Sequence, residues 1–185
     1  PKNVFPSNIQ GLPTWYEVRI SDKGYLGRRG GADFLIAVNG QTLRDDYDMV
    51  QPGGYFLYDS TRDLPPGFDR DDITVIDIPL TQLCNDEFSD NRMRQLMKNI
   101  IYIGALAYLL DIGMEPISAS IRKQFAKKPK LAEPNIKALE LGFDYAREHH
   151  GDSCGLRIEP STAVGQRILI DGNSATGLGA LYAGA

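Results

Sequence analysis

Residues 14–21 alternate, with Tyr16, Val18 and Ile20 on one side and Trp15, Glu17 and Arg19 on the other, the period of a strand with unlike faces. That predicts a strand near a sheet edge or at an interface. Phe34-Leu35-Ile36-Ala37-Val38 is instead continuously apolar, as a strand covered on both faces should be, and Asn39-Gly40 ends it. Residues 41–50 read as a short acidic helix, Pro52-Gly53-Gly54 as a break, and Tyr55-Phe56-Leu57-Tyr58 as the next strand. Strand, helix, strand at this spacing predicts a right-handed βαβ unit, because parallel strands require a crossover. A further strand is expected at 73–78, after a polar loop at 60–71 that Pro65-Pro66-Gly67 keeps irregular.

From Asp90 the period lengthens. Met93, Leu96, Met97 and Ile100 share one helical face, and beyond Ile100 the helix is apolar nearly all round, so its second half must lie inside. A second helix has Pro116 in its first turn, Ile117, Ile121 and Phe125 at four-residue spacing, and a stop at Lys127-Lys128-Pro129. The third runs from about Pro134 to Gly151, with Ile136, Leu139, Phe143 and Ala146 inward. Residues 151–165 are polar and broken by Pro160, 167–171 read as a strand, and a helix follows from Asn173. The expectation is a three-layer α/β/α domain with a mainly parallel sheet over 1–150, a linker at 151–166, and the start of another unit at 167–185.

Composition narrows the function classes. A net charge of -4 and a pI near 5.2 supply no excess of cations for phosphates along DNA or RNA. Cys84 and Cys154 stand seventy positions apart and neither lies in a CxxC, so this chain alone is not expected to hold a four-thiolate cluster. They read as reduced structural thiols of a cytosolic protein. The longest apolar run, 100–110, is too short for a bilayer, and with no charged leader and apolar core read ahead of Pro1 secretion is not expected. With no initiating methionine, the chain is expected to be a piece of a longer polypeptide.

Candidate chemistry is sparse. The 7–13 loop offers the Ser7 hydroxyl, the amides of Asn8 and Gln10, and Gly11, which lets a ligand approach the backbone; the same residues would also make an ordinary self-satisfied turn. Ligands of open α/β sheets gather at the carboxyl ends of strands, here Asn39-Gly40 and Asp59-Ser60-Thr61, although such residues equally cap the helix or turn that follows. Arg28 and Arg29, and Lys127, Lys128 and Lys130, would meet phosphates or an acidic protein face, or would be solvated, the three lysines complementing a helix dipole. His149-His150 lack partners at metal-ligand spacing and read as a frayed helix end. The glycines of 172–179 do not follow GxGxxG.

Three segments carry a family likeness. Pro6-Ser7-Asn8-Ile9-Gln10-Gly11-Leu12-Pro13-Thr14-Trp15-Tyr16-Glu17 resembles a loop and strand of the gamma domain of 2-oxoacid:ferredoxin oxidoreductases, in the branch where gamma is fused ahead of the alpha subunit and the substrate is usually 2-oxoglutarate. Lys98-Asn99-Ile100-Ile101-Tyr102-Ile103-Gly104-Ala105-Leu106-Ala107 resembles that domain's long helix, and Asp171-Gly172-Asn173-Ser174-Ala175-Thr176-Gly177-Leu178-Gly179-Ala180 the opening of the alpha subunit, which binds the thiamine pyrimidine. The resemblance implies oxidative decarboxylation of 2-oxoglutarate to succinyl-CoA with reduction of ferredoxin, or the reverse. The gamma domain would assist coenzyme A through Ser7, Asn8, Gln10, Gly11, Asn39 and Ser60. Thiamine diphosphate, magnesium and a 4Fe-4S cluster would be held largely by a separate beta subunit, so the chain alone should be inactive. Family members commonly have an arginine followed by glycines where this chain has Gln10-Gly11-Leu12, and a neutral amide does not replace a guanidinium at an anion. Two alternatives stay open: a non-catalytic scaffold in the same kind of complex, and a free flavodoxin-like nucleotide-binding domain.

Overall fold

The computed structural model describes residues 2–4, 13–25, 27, 29–151, 154–163, 165–166, 168 and 170–184. Three parallel strands, β3 (Ala32–Ala37), β4 (Val50–Asp59) and β5 (Thr74–Ile78), lie side by side in chain order, with Leu35 opposite Phe56 and Leu57 opposite Ile76. A separate antiparallel pair joins β1 (Lys2–Val4) to β2 (Trp15–Glu17).

The pleat divides the apolar run between two layers. Leu35, Ala37 and Phe56 pack with Tyr47 of α1 (Leu43–Met49), while Leu57, Ile76 and Ile78 belong to a second core with Met97, Ile101 and Ala138. The latter layer consists of α2 (Leu80–Glu87), α3 (Asn91–Leu109) and α5 (Ala132–His150), and α4 (Met114–Gln124) is held against it by Ile121, Ile136 and Leu139. The expected three-layer arrangement is therefore present. Residues 60–73 cross the α1 face, where Leu64, Phe68 and Ile73 join its core and the Arg70 guanidinium donates to the Tyr47 and Val50 carbonyls at 3.1 and 3.0 Å.

Helices α3 and α5 approach each other closely at two glycines. A Cβ placed on Gly104 would stand 1.9 Å from the Leu139 carbonyl oxygen, and one on Gly142 would stand 1.8 Å from that of Ile101. Each glycine thus accommodates the backbone of the other helix.

Four expectations need correction. Helix α2 was not foreseen in residues 80–87, whose eight residues show only two inward positions, Leu80 and Cys84. None of the described residues of 167–171 is in a strand; Asp171 instead caps α6 (Gly172–Tyr182), accepting from the Ser174 N–H at 2.9 Å and hydroxyl at 2.6 Å. The alternation at 14–21 is realised as a strand over 15–17 alone, and its more apolar side, Tyr16, Val18 and Ile20, faces outward. The end of α5 is anchored: His149 Nδ1 lies 3.0 Å from the Tyr145 carbonyl with the rings stacked 4.1 Å apart, and His150 Nε2 lies 2.8 Å from the Asp77 carbonyl on β5.

Trp15 attaches the small sheet to the main layers. Its indole N–H donates to Asp46 at 2.7 Å; that carboxylate is 3% exposed and also accepts from the Thr42 hydroxyl at 2.8 Å. Asp46→Ala should cost about 2 kcal/mol, because two donors lose one buried acceptor. Since Trp15 is the only tryptophan, a red shift of its emission together with an earlier urea midpoint would register this; an unchanged spectrum would mean the contact is not made in solution.

Candidate functional site at the carboxyl end of the parallel sheet

The strands all point their carboxyl ends to one edge. There β3 runs into Asn39, β4 into Asp59-Ser60-Thr61, and β5 into Pro79 and α2. Pro79 provides no side-chain cap for α2, so its first amides are satisfied from the neighbouring strand. The Thr81 N–H donates to Asp59 Oδ1 at 3.1 Å and the Gln82 N–H to Thr61 Oγ1 at 3.1 Å. Asp59 also accepts from the Thr61 hydroxyl at 2.7 Å, from the Thr81 hydroxyl, and from Lys98 Nζ at 2.9 Å. One carboxylate thereby ties β4, α2 and α3 together.

The electrostatics follow from that geometry. Burial alone would raise the Asp59 pKa, but the hydrogen bonds from Thr81, Lys98 and Thr61 outweigh it and hold the group down at about 2. Asp59 is ionised throughout the physiological range, and its side chain is 18% exposed.

Beside this cluster a cleft of about 480 Å³ opens between α2 and the first half of α3. Thr81, Cys84 and Asn85 form one wall; Asn91, Arg94, Gln95 and Lys98 form the other. Arg94 and three amides suit a polar anionic group such as a phosphate or carboxylate, while the Lys98 charge is already met by Asp59 and Arg94 Nε donates to the Phe88 carbonyl. Burial pushes the Cys84 thiol up to about 11, so it is no nucleophile at neutral pH. Among the described residues no group of three or more His, Cys, Asp or Glu side chains is placed to hold a metal ion.

The residues singled out in the sequence are distributed unevenly. Asn39 and Ser60 each lie two positions beyond the paired Ala37 and Tyr58, so they sit at the same edge of adjoining strands. Asn39 is engaged locally, its side chain accepting from the Gln41 N–H at 3.0 Å and its carbonyl from the Thr42 N–H at 3.2 Å; the Ser60 N–H donates to the Ile78 carbonyl at 3.0 Å. Ser7, Asn8, Gln10, Gly11 and Arg28 lie outside the described residues. Arg29 pairs with Asp33 on the surface. Sequence reasoning missed Thr81, Arg94 and Lys98. The available signal was Lys98 as the last charge of α3, four residues after Arg94 and just ahead of the apolar half.

Residues 2–145 match the family described as pyruvate ferredoxin/flavodoxin oxidoreductase. The chain belongs to this family. Among oxidoreductases of this kind, the 2-oxoglutarate oxidoreductase subunit KorA of Mycobacterium tuberculosis is 25% identical over 192 residues, covering 91% of this chain and 29% of that protein. The 2-oxoglutarate synthase subunit KorC of Archaeoglobus fulgidus is 30% identical over 120 residues, covering 62% and 54%. The 2-oxoglutarate:ferredoxin oxidoreductase of Magnetococcus marinus, solved with 2-oxoglutarate, coenzyme A and succinyl-CoA bound, superposes with a TM-score of 0.69 at 25% identity, over 82% of this chain and 26% of that one. This family member thus spans 29% and 34% of the first two curated relatives it matches. Among its described residues no helix is long and apolar enough to cross a membrane.

Proposed function

We propose that the chain is the gamma-type portion, 1–150, a linker, 151–166, and the opening of the alpha domain, 167–185, of a subunit of a 2-oxoacid:ferredoxin oxidoreductase. The assembled enzyme would convert 2-oxoglutarate and coenzyme A to succinyl-CoA and carbon dioxide, passing two electrons to two ferredoxins, or run the reverse. The observation that carries this reading is the superposition over most of the chain on an oxidoreductase with 2-oxoglutarate, coenzyme A and succinyl-CoA bound. Thiamine diphosphate with its magnesium, and the iron–sulfur cluster, would be held largely by a separate beta subunit of the complex.

The part given to this domain is to assist coenzyme A, through the 7–11 loop, the Asn39 and Ser60 edge, and the cationic cleft. A specific observation favours the scaffold alternative as second reading: Asp59 and Lys98 satisfy each other, and Asn39 turns back on its own chain. The full-length subunit, assembled with its companion and assayed with 2-oxoglutarate, coenzyme A and a viologen, separates the two. Arg94→Ala should raise KM for coenzyme A about tenfold with kcat retained, as loss of one charge-assisted contact predicts. An unchanged KM for Arg94→Ala and for a Ser7→Ala, Gln10→Ala pair would leave the scaffold. Pyruvate or an aryl 2-oxoacid as the preferred substrate would overturn the 2-oxoglutarate assignment, and the 185-residue chain alone should show no turnover.

A further inference from the structure

Residues 116–139 carry six cations and the single acid Glu133, a net charge of +5 against -9 for the rest of the chain. Arg122 and Lys123 occupy the last turn of α4, where the helix dipole favours them. The same reason does not extend to Lys127, Lys128 and Lys130. Helix α4 ends at Gln124, and these lysines follow in a turn and a 3-10 segment (Pro129–Leu131) that leads directly into the amino end of α5, where the dipole opposes positive charge. Among the described residues none of the five cations at 122–130 has a side-chain hydrogen bond or ion pair, so nothing local offsets that placement. Beside them lies a groove of about 300 Å³ lined by Met93, Leu96 and Ile100 of α3 and by Phe125, Leu131 and Pro134. Leu96 is 54% exposed and Leu131 44%.

Resting on the proposed function, we infer that this groove and its lysine rim are a docking surface for an acidic helix of a companion subunit, inserted by its apolar side. Charge complementarity sets the sign of the partner. The concave apolar floor, running along two turns of α3, or about 10 Å, accommodates a short helical anchor. A nucleic acid would leave that floor unused, and a bilayer meets a bulging apolar face more readily than a recessed one.

The test uses the full-length subunit co-expressed with its companion. Wild type should assemble, and its dissociation constant should rise several-fold between about 50 and 300 mM salt, as screening of a charged rim requires. The triple variant Lys127→Glu, Lys128→Glu, Lys130→Glu should weaken assembly about tenfold or more and flatten the salt dependence. Leu96→Asp should weaken it comparably while keeping the salt slope. All four positions lie on the surface, so unfolding midpoints should stay near wild type. Carbodiimide coupling of the assembled enzyme should join these lysines to Asp or Glu of the companion. Assembly and salt slope unchanged in both variants, or coupling only within one polypeptide, would overturn the docking surface alone. So would loss of binding to anionic vesicles or RNA in the triple variant with assembly intact. Failure of wild type to assemble would overturn the proposed function with it.

Discussion

Gly104→Ala is expected to destabilise the fold by about 3 kcal/mol or more, and Gly142→Ala by a similar amount, since in both cases overpacking is imposed on backbone. The added Cβ would meet the Leu139 carbonyl at 1.9 Å in the first variant and the Ile101 carbonyl at 1.8 Å in the second. A flexible side chain can rotate out of such a contact; a helical carbonyl cannot. Relief requires α3 and α5 to move apart, which loosens the layer that holds Ile101, Ala105 and Ala138 against the sheet. The two substitutions press on the same crossing, so the double variant should lose less than the sum. Urea unfolding would report this as a midpoint lowered by at least about 1 M. Gly177→Ala supplies the contrast: beyond its chain neighbours and its own helix backbone nothing lies within 4 Å of the added Cβ, and it sits inside α6, so it should be neutral or gain up to about 1 kcal/mol of helix propensity. A Gly104→Ala variant within about 0.5 kcal/mol of wild type would refute the close crossing.

Asp59→Ala should cost about 3 kcal/mol, because it strands the half-buried Lys98 ammonium and uncaps the Thr81 amide at the start of α2. Lys98→Met should cost less, about 1 kcal/mol, because Asp59 keeps its threonine donors. The pH dependence has a definite sign. The folded carboxyl is held at about 2, below the ordinary 3.8, so its contribution is fully present above about pH 4 and disappears as pH falls through 2. About 2 kcal/mol should be lost over that interval in wild type beyond what Asp59→Asn loses, because the asparagine does not titrate. Parallel acid-unfolding curves for the two proteins would show that Asp59 is not the group concerned.

Much of the architecture was readable from periodicity. The buried strand at 34–38, the crossover to 55–58 and the long helix ending in an apolar half all required only that apolar groups leave water, so their pattern announced them. Short elements were harder. Helix α2 turns only Leu80 and Cys84 fully inward, too few to establish a period, and its amino end is capped by Asp59 at the end of β4. At the candidate site, Asp59 and Ser60 were legible as the end of a strand, whereas Lys98, thirty-nine residues from Asp59, was not. No local rule pairs a helix lysine with a strand aspartate at that separation.

The sequence by itself determined the long elements with a sustained burial period, the three strands of the main sheet and the helices α3, α4 and α5, as well as the layered class they form and the concentration of positive charge at 122–130, because burial periodicity and net charge are properties of residue order. Only the tertiary structure decided which glycines are irreplaceable, that Asp59 rather than its neighbours unites β4, α2 and α3, and that Lys127, Lys128 and Lys130 stand past the end of α4 beside an apolar groove. Those outcomes depend on distances between residues far apart in the chain, which packing sets and local propensity does not.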